Sequence, residues 1–115
     1  MFQKDMRISL LLDFYGDILS DRRRELITLY YDEDFSLSEI AEHTGISRQG
    51  VRDSIKKSEQ ELLHWEEKLA LASRFERLQG QIGEISETLR TLAKDHADLQ
   101  EPLSEIAQKL NDLSI

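Results

Sequence analysis

Cysteine is missing from all 115 residues, which removes disulfides, thiol nucleophiles and thiolate metal sites. Proline occurs once and glycine five times. With Leu, Glu, Asp, Lys and Arg abundant, that scarcity points to helices joined by short connections. No apolar run approaches the roughly 20 residues of a membrane span, and nothing near the start reads as a leader peptide. A cytoplasmic protein with no membrane insertion is therefore expected. The length suits one compact domain, or a small domain plus an appendage. Groupings that carry chemistry are also scarce. His43, His64 and His96 are scattered, without the paired spacing of a zinc site. Asp32, Glu33 and Asp34 lack the glycine and ligand spacing of an EF-hand loop and read as a solvated turn. No phosphate-cradling glycine loop or nucleophile elbow occurs, so neither an enzyme nor a cofactor is expected.

What the chain does contain is concentrated between residues 36 and 57. Ser36 followed by Glu39 has the spacing of a capping box, which satisfies two backbone donors at a helix start. Leu37, Ile40 and Ala41 then share one helical face. Gly45 suits the left-handed residue that ends such a helix, Ile46 can plug the angle that follows, and Ser47 is a good N-cap for a second helix. That second helix has a buried stripe of Val51, Ile55, Ser58 and Leu62, and an outer face of Arg48, Gln49, Arg52, Asp53 and Lys56. Together they read as a helix-turn-helix. Its long donor-rich side chains are of the kind that reach phosphates and base edges in a major groove.

The net charge of −8 runs against nucleic-acid binding, but its distribution matters more than its total. Within residues 47–57, Arg48, Arg52, Lys56 and Lys57 oppose a single Asp53. Screening over about 8 Å at physiological salt isolates that patch from acidic groups on distant faces. A second basic cluster, Arg22–Arg23–Arg24, opens another helix, where cations oppose the helix dipole. It reads equally well as a phosphate contact or as surface side chains paired with Asp17, Asp21 or Glu25.

Elsewhere the pattern is helical throughout. Ile8, Leu11, Leu12, Tyr15, Ile18 and Leu19 predict a first helix over about residues 4–19. Ser20 or Asp21 caps a second, running from Arg22 to about Asp32 with Leu26, Leu29 and Tyr30 inward, and Phe35 holds the staple position before Ser36. The stripe of the recognition helix continues through Trp65, Leu69 and Ala72, and Trp65 is expected in the core. A second stripe, Leu71, Phe75, Leu78, Ile82, Ile85, Leu89 and Leu92, starts one residue out of phase, which rotates the seam by about 100°. Either the helix bends near Ala72–Ser73, or this stretch faces something else; Gly80 and Gly83 could mark a kink or a close crossing. Residues 93–101 read as a connection. Leu99, Leu103, Ile106, Leu110 and Leu113 then form a last seam, with Pro102 in the first turn of its helix. Two helices cannot cover both seams well, so a partner is implied, and a two-fold homodimer is the commonest solution; the alternative is a hairpin folded back on the chain's own N-terminal bundle.

The fold expected is all-α: a helix-turn-helix bundle over residues 1–70 that binds nucleic acid, with an amphipathic helical extension over 71–115 for dimerisation or interaction. The segments Leu11–Gly16, Leu29–Tyr31 and Ser36–Lys57, above all Ile46–Val51, resemble the YlxM family of small bacterial proteins, whose helix-turn-helix is similar to region four of sigma factors. That resemblance implies a DNA-binding regulator with Ser47, Arg48, Gln49, Arg52, Lys56 and Lys57 as contact residues. It also implies a link to the signal recognition particle, beside whose GTPase such proteins are encoded. Two readings follow: a dimeric regulator on double-stranded DNA, or a helical adaptor contacting the particle's RNA or GTPase.

Overall fold

A computed structural model describes residues 4–113. Six α-helices follow one another: α1 (Arg7–Tyr15), α2 (Asp21–Tyr31), α3 (Leu37–Thr44), α4 (Arg48–Leu69), α5 (Leu71–Asp95) and α6 (Gln100–Leu113). Single 3₁₀ turns occupy Gly16–Ile18 and Ala97–Leu99. No strand occurs among the described residues, and none of these helices is long and apolar enough to cross a membrane. The chain divides into two compact units, Met1–Ala72 and Ser73–Ile115.

In the first unit α4 is the axis against which α1, α2 and α3 pack. Its stripe of Val51, Ile55, Ser58 and Leu62 is completely buried, as are Ile8, Ile27 and Ile40 from the three surrounding helices. Each such aliphatic contributes about 1.5–3 kcal/mol by leaving water, so short helices that would be marginal alone are held by packing. Ser20 caps α2 by accepting from the Arg23 amide at 3.3 Å. The first helix is shorter than the apolar spacing predicts: it gives way to a 3₁₀ turn at Gly16, which leaves Ile18 exposed while Leu19 returns to the core.

Trp65 departs from expectation as well. It is 37 % exposed and stacks edge-on against His64 rather than joining the core. One position on, Glu66 meets Tyr15 of α1, and Leu69 is exposed like Trp65. The long seam breaks at Ala70, two residues before the expected bend, with this residue in the left-handed region at φ 53°. Such a conformation costs an L-residue roughly 1–2 kcal/mol. Three hydrogen bonds offset it: Tyr15 Oη donates to Glu66 Oε1 at 2.8 Å, the Leu71 amide donates to Tyr15 Oη at 3.0 Å, and the Ala72 amide donates to Glu66 Oε1 at 3.1 Å. The first amides of α5 are thereby satisfied, and Ala72 is buried in the core of the first unit.

The second unit is a hairpin. Helix α5 runs unbroken through Gly80 and Gly83, whose open sides meet nothing within 4 Å, so neither marks a kink or a crossing within the chain. The expected connection is shorter than residues 93–101, because α5 continues to Asp95 and α6 begins at Gln100, with Pro102 in its first turn. Buried Ile82, Ser86 and Ala93 on α5 and Ala107 on α6 form its inner seam. Ser86 Oγ donates to Asn111 Oδ1 at 3.2 Å, which sets the antiparallel register.

Candidate nucleic-acid interface

The geometry between α3 and α4 follows from three local devices. Ser36 Oγ accepts from the Glu39 amide and Glu39 Oε1 accepts from the Ser36 amide, both at 3.0 Å, which closes the capping box. The Ser36 amide holds the Glu39 carboxyl below the usual carboxylate range. Gly45 ends α3 at φ 77°, a left-handed conformation that side chains with a Cβ adopt at a cost. Ser47 Oγ then accepts from the Gly50 amide at 3.0 Å and starts α4. Gly50 has its own reason: a Cβ there would lie 3.0 Å from both Ile46 Cγ2 and Ser47 Oγ, crowding the turn and its cap. Ile46 packs on the core from the corner.

With Val51 and Ile55 pinned inside, the intervening positions of α4 face outward. Ser47, Arg48, Gln49, Arg52, Lys56 and Lys57 are all exposed and lie along about three turns. Gln49 Nε2 donates to Asp53 Oδ1 at 2.9 Å, so the one acid of this face is tied to the amide one turn before it. Ser47 differs from its neighbours: one lone pair of its oxygen already accepts from the Gly50 amide as a cap, which fixes the hydroxyl against the start of the helix.

The arginine triplet at the start of α2 separates into different roles. Arg22 pairs with Glu25 at 3.2 Å and Arg24 with Asp17. Arg23 turns inward, donating from Nε to the buried Ser58 at 3.1 Å and pairing through Nη1 with Glu61 at 2.9 Å. It clamps α2 to the back of α4, a role with no local signature because it depends on how the helices cross. A groove of about 430 Å³ along α2 is walled by Asp21, Glu25 and Glu33 around Arg24. Three carboxylates to one guanidinium do not suit a polyanion.

On the same side chain layer, Glu59 sits half-buried on α4 and accepts from Tyr31 Oη at 3.0 Å. Burial pushes its carboxyl above the ordinary value, partly opposed by the Tyr31 hydrogen bond, and burial likewise raises the Tyr31 phenol. A carboxyl that binds its proton more tightly folded than unfolded makes stability fall as pH rises from the ordinary glutamate value through the raised one. Glu59→Gln removes that decline and leaves the variant the more stable protein at pH 7. Thermal melts from pH 4 to pH 8 check this, and a decline of unchanged size in the variant contradicts it.

A capped helix, a left-handed glycine corner and a second capped helix with a cationic outer face define a helix-turn-helix protein. The chain belongs to the UPF0122 family, described as "Putative helix-turn-helix protein, YlxM / p13 like", which it matches over residues 2–106. It is similar to a UPF0122 protein of Thermoanaerobacter sp. (strain X514), 36 % identical over 110 residues that cover 94 % of each chain. A UPF0122 protein of Halalkalibacterium halodurans is 41 % identical over 113 residues, covering 98 % of this chain and 96 % of the other. Similarity to a relative in Symbiobacterium thermophilum reaches 44 % over 93 residues, 81 % of this chain and 82 % of that one.

Proposed function

We propose that the protein is a cytoplasmic DNA-binding regulator whose α4 enters the major groove, acting as a homodimer. The observation that carries this reading is the concentration of Arg48, Gln49, Arg52 and Lys56 on one exposed face of α4 directly after the Ser47 cap, with exposed Lys57 at its edge. Arg48, Gln49 and Arg52, nearest the helix start, are the candidates for base edges, and Lys56 and Lys57 for phosphates. A two-fold dimer would require half-sites 34–36 Å apart or a multiple of that. Neutralising about four phosphates gives a slope of about −3.6 in a log–log plot of affinity against salt. Titration of a random duplex pool between 50 and 300 mM salt measures it, and a flat response defeats the proposal.

A second reading, an adaptor for the signal recognition particle's RNA or GTPase, rests on the resemblance drawn from the sequence and, for the GTPase, on the acidic net charge of −8, which disfavours broad affinity for a polyanion. A shift of the particle's RNA, or altered GTPase turnover, on adding the purified protein supports this alternative. Absence of both effects removes it.

A further inference from the structure

The one acid among the cations on the outer face of α4 holds an amide. Gln49 Nε2 donates to Asp53 Oδ1 at 2.9 Å, one turn along the helix, and both side chains are exposed. The two ends of a glutamine amide are similar in size, so a half-turn about its last bond exchanges them at little steric cost. A carboxylate removes that freedom, because it accepts hydrogen bonds and does not donate them. Reversing the Gln49 amide would lose the bond to Asp53 and set Oε1 against a carboxylate oxygen. The two hydrogens on Nε2 also differ: one lies beside Oε1 and the other points away from it. Donating the nearer hydrogen would draw Oε1 toward the carboxylate, so the farther one serves Asp53. An acceptor and a donor are left side by side, Oε1 and the nearer hydrogen.

That pair has one complement in the major groove. Adenine presents the N6 donor beside the N7 acceptor, whereas guanine presents two acceptors, O6 and N7. In its fixed orientation the amide pairs with adenine through both atoms and sets Oε1 against guanine O6. Reversed, it would turn its nitrogen to O6 and tolerate guanine. We infer that Asp53 is a positioning residue that locks the Gln49 amide to read adenine and reject guanine. Its role rests on the DNA-binding reading above and gives that reading a base. Gln49 is the second residue of α4, directly after the Ser47 cap and Arg48, where the residues of a recognition helix reach base edges. Val51 and Ile55, completely buried, fix the face it shares with Arg52. An acid at Asp53 otherwise only repels phosphates, and the lock is what it contributes in exchange.

Selection from a random duplex pool by the full chain yields the site, and Gln49→Ala identifies the position that Gln49 reads as the one whose preference disappears. Adenine there is the expected result, with guanine in its place lowering wild-type affinity at least about fivefold. Asp53→Asn is nearly isosteric, and its amide can accept from Gln49 or donate to it, so both orientations of Gln49 are held equally. Two changes then run in opposite directions. Affinity for unselected duplex rises, because an acid has left the phosphates, while the ratio of adenine-site to guanine-site affinity falls about two- to tenfold. A residue acting through its charge alone, or one that only supports the helix, leaves the ratio where it was. Adding Asp53→Asn to Gln49→Ala moves the ratio no further, the signature of a side chain that works through its neighbour. In the free protein, the side-chain amide resonances of Gln49 shift on Asp53→Asn, which checks the lock without DNA. Unmoved Gln49 resonances, an unmoved ratio in Asp53→Asn, or a Gln49-dependent position that prefers another base overturns the lock and leaves DNA binding standing. A wild-type protein that binds no duplex refutes the DNA-binding reading, and the role of Asp53 with it.

Discussion

Alanine at both Arg48 and Arg52 lowers affinity for a selected duplex at least about thirty-fold, because each bidentate arginine–base contact is worth about 1–3 kcal/mol. The magnitude of the salt slope falls by about 2 for each subunit bound if each guanidinium also neutralises a phosphate, and by less if they read bases alone. Both side chains are exposed on α4, and alanine is the best helix former, so the melting temperature should stay within the shift that about 0.5 kcal/mol produces. Fluorescence anisotropy at three salt concentrations, paired with thermal melts, separates lost contact from lost fold. Wild-type affinity in the double variant would move the binding surface away from the start of α4, leaving the helix-turn-helix as scaffold.

The second large effect concerns stability and sets two neighbours on α4 against each other. Leu62 is completely buried in the core of the first unit, whereas Trp65, three residues on, is 37 % exposed. Leu62→Ala leaves a cavity in the core of the first unit and costs about 2–5 kcal/mol. At roughly 4–8 °C per kcal/mol for a domain of this size, the melting transition falls by at least about 10 °C. Trp65→Ala removes a larger side chain yet costs about 1 kcal/mol or less, since much of it already lies in water. Denaturant titration of both variants reverses this order if Trp65 is a core residue after all.

The contrast between Leu62 and Trp65 also marks how far periodicity can be trusted. A 4,3 alternation identifies one face of a helix but says nothing about where the opposing helices stop. Val51, Ile55, Ser58 and Leu62 are buried under the surrounding helices; at the next turn α1 meets α4 through Tyr15 at Glu66, one position round from Trp65, which like Leu69 stays exposed. The capping box at Ser36, the glycine corner at Gly45 and the cap at Ser47 were legible because each is a contact among residues close in sequence. Of the candidate contact residues, their outward direction follows from the buried stripe between them, while Ser47's role as a cap competes with its role as a contact. Arg23 gave no such signal: its partners Ser58 and Glu61 lie 35 and 38 positions away and meet it only through the crossing of α2 on α4.

Local chemistry along the chain was enough to dictate an all-helical protein, the two capped helices and their corner, and which side of α4 faces water, because caps, turn glycines and apolar spacing act over a few residues. Tertiary structure alone decided where the long seam breaks and which half of the C-terminal leucines is covered. The break at Ala70 rests on Tyr15 reaching across 51 positions to Glu66. The division of the leucines rests on the antiparallel pairing fixed by Ser86 and Asn111. Both depend on groups far apart in sequence arriving at one place, and periodicity carries no information about that.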